Sequence, residues 1–166
     1  MESTRERRTA RLLLRPIRPS DRDALTDIHV DPRTNAHTPG GPPDRKAIEA
    51  MLSSFIAAWE GSGHSYWAVE LEATIIGVAG IEARTILGRD CWNLYYRFDP
   101  GSWGHGFATE AAREAVAVAG SLEPGRPIVA RTRPANELAT WVAERAGLAR
   151  RADLDHEGFV VLAANW

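Results

Sequence analysis

Trp103-Gly104-His105-Gly106-Phe107-Ala108-Thr109 follows a turn at Asp99-Pro100-Gly101 and runs without a break into the alanine-rich stretch 108–120. The alanine content predicts a helix there. The eight residues before the turn, Cys91-Trp-Asn-Leu-Tyr-Tyr-Arg-Phe98, read as a strand. A helix that starts directly after a glycine turn leaves its first N–H groups without intrahelical partners, with the positive end of the helix dipole behind them. Such an end suits a phosphate. Gly104 and Gly106 let a ligand approach the main chain and allow the dihedrals of a tight turn. The spacing alone fits equally well a turn that only redirects the chain.

Two phosphate-binding patterns are excluded. A Walker A loop requires Lys-Ser/Thr after its last glycine, and Gly106 is followed by Phe107-Ala108. A dinucleotide fingerprint places its third small residue on Thr109 and lacks the acid that should end the next strand, 127–132. The diphosphate loop of an acyl-CoA enzyme remains.

Outward from the loop, the chain alternates between strand and helix signals. Residues 11–17 read as a first strand. A helix is expected over 20–30, with Ser20 and Asp23 as a capping box. Residues 31–43, with four prolines and two glycines, suit a surface loop over a substrate site. Ile48, Met51, Leu52, Phe55, Ile56 and Trp59 make 44–60 an amphipathic helix. Segments 66–71 and 74–82 form a hairpin about Glu72-Ala73, and 91–98 adds a third member. Beyond the glycine loop come a strand at 127–132, a helix at 136–146 and a last strand at 158–163. The fold class is α+β, a mostly antiparallel sheet flanked by helices, expected as one domain over 1–166.

At 166 residues, the chain can bury a core without disulfides. A formal charge of -2 gives no broad basic field, so nucleic acid is not an expected partner. The single cysteine, Cys91, can form no internal disulfide, which fits a reducing cytoplasm. The apolar run Leu12-Leu13-Leu14 is too short for a signal-peptide core, and no stretch approaches the ~20 apolar residues of a membrane span. His29, His37 and His156 are too scattered for a metal cluster, and no metal site is expected. His64 reads as a loop residue, Trp59, Trp67 and Trp92 as core, and Glu110 with Arg113 as a surface ion pair.

The segment Asp99–Ala111 resembles the acetyl-CoA motif of the GNAT acetyltransferases, in particular the Rim-like group that modifies protein N-termini. Trp103 takes the place of the residue before Gly-x-Gly-x-Gly/Ala. A second stretch, Asn136-Glu-Leu-Ala-Thr-Trp-Val-Ala-Glu144-Arg145-Ala-Gly147-Leu148, resembles the family's Asn-x-x-Ser-x-x-x-x-Glu-Lys-x-Gly-Phe helix, in register with the first. The order of elements agrees from about residue 10 to 163.

The resemblance implies that acetyl-CoA lies with its diphosphate on the main-chain amides of Gly104, His105, Gly106, Phe107, Ala108 and Thr109, beside Trp103. It implies a sheet splayed at the cofactor cleft, where Arg97 and Phe98 offer main-chain groups to the pantetheine arm and their side chains need do nothing. An N–H around Tyr96–Phe98 would meet the thioester oxygen. Asn136 would both cap its helix and touch pantetheine. Where many relatives carry a glutamate base, this chain has Asn93, which cannot take a proton. The hydroxyl residues expected at Ala139 and Ala143 are also missing. An α-amine of pKa ~7.8 costs ~1 kcal/mol to deprotonate at pH 7, against ~4.6 for lysine, so a site without a strong base suits an α-amine attacking directly. A water held by Asn93 and Glu82 is the alternative route for the proton. The acceptor is then a primary amine, on a protein N-terminus or a small molecule. The rival reading is an acyl-CoA-binding or ligand-sequestering protein with little turnover, or transfer of another acyl group such as succinyl. A monomer or weak homodimer is expected.

Overall fold

The computed structural model describes residues 5–166. Two short strands come first, β1 (Arg7–Arg8) and β2 (Leu13–Pro16), then α1 (Arg22–Val30) and α2 (Arg45–Gly61). The meander follows as β3 (Tyr66–Leu71), β4 (Thr74–Ile86) and β5 (Arg89–Phe98). The chain continues through α3 (Phe107–Leu122), β6 (Ile128–Thr132), α4 (Glu137–Arg145), β7 (Ala149–Arg150) and β8 (Val160–Ala164). The sheet has the order β1-β2-β3-β4-β5-β6-β8-β7. All neighbours are antiparallel except β5 and β6.

Alternation along the strands sends successive side chains to opposite faces. On one face Leu25, Ile28, Leu52 and Phe55 of α1 and α2 pack on Tyr66, Ala68 and Val78. On the other, Ala111, Ala115 and Val118 of α3 and Val142 of α4 pack on Trp67, Ile81, Trp92 and Leu94. Trp59 and Trp67 are fully buried, as expected, and the Trp59 indole donates to the Tyr66 carbonyl at 2.9 Å.

Three local expectations change. Asp21 closes the 3-10 turn Pro19–Asp21 that leads into α1, its carboxylate accepting the Arg18 amide at 2.7 Å and both terminal nitrogens of Arg15, and no side chain caps α1 itself, so Ser20 and Asp23 are not a capping pair. The β4–β5 hairpin runs on to a tip at Leu87-Gly88, and Glu82 therefore sits within a strand rather than at its end. Glu110 pairs with Arg11 and not with Arg113, which donates to the Arg145 carbonyl.

Among the described residues, no helix is long and apolar enough to cross a membrane, and no cluster of three His, Cys, Asp or Glu side chains could hold a metal ion.

Candidate functional site

The site begins with a strand that loses its neighbour. β5 and β6 pair only at Trp92–Ile128 and Asn93–Val129. On its other side β5 is matched to β4 along its whole length without a bulge. The Asp99 amide reaches toward β4, donating to the Ile76 carbonyl at 2.8 Å, while the Trp92 amide reaches toward β6, donating to Pro127 at 2.7 Å. Main-chain direction alternates along a strand. Leu94, Tyr96 and Phe98 thus turn their amides and carbonyls into the widening gap beyond Asn93.

The expectation for Arg97 is corrected by the same alternation. Its main chain belongs to the ladder with β4, and the free groups are those of Tyr96, with Leu94 and Phe98. The Phe98 carbonyl already accepts the Trp103 indole N–H at 3.0 Å, which leaves Tyr96 as the open position nearest the gap's centre.

The glycine loop closes one end of this gap. Gly106 stands at the N-cap of α3 with φ 80° and ψ 9°, a left-handed conformation that suits glycine, and no side chain caps the helix. The first helical bond is that of the Glu110 amide to the Gly106 carbonyl. The amides of Phe107, Ala108 and Thr109 precede it and have no intrahelical acceptor. Gly104, at φ 81°, has open space where a Cβ would stand. The Thr109 hydroxyl is buried without a hydrogen-bond partner in the protein. Bare amides, an open glycine and an orphaned hydroxyl at one helix start fit a diphosphate ligand. The His105 carbonyl accepts from Arg11 at 2.8 Å, and Arg11 also binds Glu110 at 2.7 Å, so the bend between β1 and β2 is tied to the glycine loop and to α3. Burial works against the charge on Glu110, but hydrogen bonds from Thr9 and Arg11 hold its pKa below the usual range.

A cleft of about 510 Å³ joins these parts. Tyr96, Arg97, Phe98, Trp103, Gly104, Gly106, Phe107, Ala108, Thr109 and Asn136 all line it, so most of the expected cofactor residues meet in one place. The Asn136 side chain caps α4, accepting the Ala139 amide at 3.2 Å. The loop residues Arg33, Thr34, Ala36 and His37 form a further wall of this cleft. Leu138 and Trp141 on α4 were not singled out as site residues. They stay 71% and 47% exposed, and the sequence carries no sign of this, because apolar residues three apart on a helix equally suit a core face.

Asn93, Glu82 and Tyr96 are arranged differently. Asn93 and Glu82 stand opposite each other on β5 and β4 and share the face of α1 and α2. The Asn93 amide donates to the Tyr66 hydroxyl at 2.8 Å. The Glu82 carboxylate is buried, taking the Ser65 hydroxyl at 2.5 Å and the Arg84 guanidinium at 2.6 Å. Tyr96 points to the opposite face, where its hydroxyl donates to the Ala139 carbonyl. Its ring thus reaches α4 beside the small residues Ala139 and Ala143. Burial raises the pKa of Tyr96 and of Tyr66, keeping both phenols protonated. Trp92 is buried, as expected for a core residue. His64 meets its ring edge-on at 4.8 Å, and burial, then the nearby Arg126, lowers the pKa of His64.

The family model for the GNAT acetyltransferase domain matches residues 11–149. An acetyltransferase from Agrobacterium tumefaciens is 27% identical, with 99% of this chain and 96% of that one covered and a TM-score of 0.82. A putative ribosomal-protein-serine acetyltransferase from Vibrio cholerae shares the fold at 16% identity, with 99% of each chain covered and a TM-score of 0.73. RimL, a ribosomal-protein α-N-acetyltransferase solved with coenzyme A, does so at 15% identity, with 94% of each chain covered and a TM-score of 0.73.

Proposed function

Because the chain belongs to the GNAT acetyltransferase family, we propose that it transfers an acetyl group from acetyl-CoA to a primary amine, on a protein N-terminus or a small molecule, by direct attack in a ternary complex. The observation that carries this is the uncapped start of α3 at Gly106, open to the same cleft as the unpaired edge of β5. The amides of Phe107–Thr109 and the Thr109 hydroxyl bind the diphosphate. The free edge at Tyr96 takes the pantetheine arm as an added strand and presents an N–H to the oxyanion of the tetrahedral intermediate.

In the reaction, the amine nitrogen bonds to the acetyl carbon and the carbon–sulfur bond breaks. The amine gives its surplus proton to solvent, and the thiolate recovers one. Asn93 holds the amine or a water but takes no proton. Glu82 is engaged by Ser65 and Arg84, so it serves Asn93 by position and charge rather than as a free base. An acceptor with a low pKa is favoured accordingly.

Calorimetry with acetyl-CoA, followed by thiol release with a panel of amines, tests the proposal. Absence of binding at millimolar acetyl-CoA overturns it. Binding without release on any amine favours the sequestering alternative, which Asn93, Ala139 and Ala143 make specific. Tighter binding of succinyl-CoA would change the acyl group alone. With an α-amine acceptor, kcat/KM should rise with pH and level off near the pKa of the amine, ~8.

A further inference from the structure

The gap between β5 and β6 has two lips. Asn93 and Val129 are the last residues paired across it. Counting on by two keeps each chain on one sheet face, so Tyr95 and Arg97 follow on one lip, Arg131 and Arg133 on the other. This is the face of Asn93, away from α3 and α4. Val129 packs there with Cys91 and Val161, whereas Ile128 and Ala130 pack with α3 and α4. The proposed cofactor site uses the glycine loop and α4, so an acceptor reaches the gap from the Asn93 face.

Three arginines stand on that face beside the gap, and none is in an ion pair among the described residues. Arg97 donates to the Asn35 side-chain oxygen at 3.1 Å. Arg133 donates to the Glu157 main-chain carbonyl at 3.2 Å. Arg131 and Arg133 lie over the same Phe159 ring, at 5.4 and 3.9 Å from its centre. The neighbouring acids are engaged elsewhere: Glu82 by Ser65 and Arg84, and Asp31 by Arg33, which also feels Asp99. Glu157 is exposed on the turn before Phe159 and offers Arg133 only its carbonyl. A guanidinium left without a carboxylate presents a planar fork to carboxylates and phosphates.

We infer that the acceptor amine carries an anionic group, a carboxylate or a phosphate, close to its nitrogen, and that Arg97 on one lip and Arg131 and Arg133 on the other recognise it. The inference rests on the acetyl-transfer reading above and narrows its substrate class. The same charges disfavour an ammonium ion in the gap, which helps the attacking amine to stay neutral.

The test is kcat/KM by thiol release, at low salt, for the peptide amides Ser-Asp-Glu, Ser-Ala-Ala and Ser-Lys-Lys, and for phosphoethanolamine against ethanolamine. The acidic peptide or the phosphate amine should exceed its neutral counterpart by about tenfold, and added salt should shrink the ratio. The two pairs tell carboxylate from phosphate. In the combined variant Arg97→Gln, Arg131→Gln, Arg133→Gln the ratio should fall to about twofold or less, and each single Arg→Gln change should lower it, whereas Lys46→Gln, which removes one positive charge on α2, should leave it intact. Should the combined variant misfold by circular dichroism, Arg131→Gln and Arg133→Gln singly must each lower the ratio. A preference for the neutral or basic amine, or a ratio that survives the variants, overturns the inference. If no amine turns over, competition binding of N-acetylated Ser-Asp-Glu and Ser-Ala-Ala amides with coenzyme A present decides it: no tighter binding of the acidic peptide sinks it. Failure of acetyl-CoA to bind sinks the proposed function instead.

Discussion

The last turn of α1 and the first turn of α3 lead into the same cleft and treat their spare main-chain groups in opposite ways. At the end of α1, the Thr34 hydroxyl donates to the Ile28 carbonyl and the Asn35 amide to the carbonyls of His29 and Asp31. Side chains of the following loop thus take up the carbonyls of Ile28, His29 and Asp31. At the start of α3 stands a glycine with no side chain to cap it, although α2 and α4 are capped by Asp44 and Asn136. One end is completed by the chain, the other is left for something else. α1 also starts without a side-chain cap, so the missing cap points to an anion site only at α3, where Gly104 is open and the Thr109 hydroxyl is left without a partner.

The strongest way to break this comparison is to give α3 the cap that it lacks. Gly106→Asp places a carboxylate against the amides of the first turn. Aspartate tolerates the left-handed conformation better than most residues. Acetyl-CoA affinity should fall about a thousandfold, or ~4 kcal/mol, by calorimetry. Retained affinity would mean that the diphosphate lies elsewhere.

The closed end should respond to pH, through His29. Its Nδ1 donates to the Leu25 carbonyl at 2.6 Å, which leaves Nε2 to accept the Tyr95 hydroxyl at 3.1 Å. Burial, above all, brings its pKa from 6.5 down to about 4, with the Arg97 charge adding to the effect. Between those values the unfolded chain binds a proton that the folded chain refuses. Stability is therefore complete above pH 6.5 and declines as pH falls toward 4, by about 3 kcal/mol at the limit. Urea unfolding at a series of pH values measures this. His29→Gln should flatten that window, and an unchanged slope would locate the effect in another group.

Asn35→Ala opens the closed end directly. It removes partners from buried carbonyls and from Arg97, and should cost about 2 kcal/mol in urea unfolding. A cost near zero would mean that Thr34 alone completes the helix end.

What the sequence made legible follows the same division between local and distant causes. The Glu72-Ala73 turn, with φ of 48° and 65°, the apolar stripe of α2, the glycine loop and the Asn136 cap are written in neighbouring residues, and each lies where it was expected. The outer half of the β4–β5 hairpin was not legible, because Ala83, Arg84 and Thr85 are exposed in succession, as are Arg89 and Asp90, and no alternation marks them. β1 and β7, two residues each, are too short to show any period. Within the site, the contact of Asn93 with Tyr66 crosses from β5 to β3 over an intervening strand, and the partner of Glu110 lies 99 residues away. The direction of the Arg97 main chain depends on register, which composition does not encode.

Asn136 belongs to both kinds of helix start and gives the finest test of the comparison. Its side-chain oxygen accepts the Ala139 amide, and its NH₂ group remains to face the cleft. Asn136→Ala loses both functions and should lower stability by about 1 kcal/mol. Asn136→Asp keeps an accepting oxygen at the cap and a favourable charge at the helix start, but loses the donor. If the NH₂ group holds pantetheine, this variant should unfold at the same denaturant concentration as the parent yet bind acetyl-CoA about fivefold more weakly, as expected for one hydrogen bond. Undiminished binding would assign Asn136 to the helix alone, and leave the thioester arm to the edge of β5.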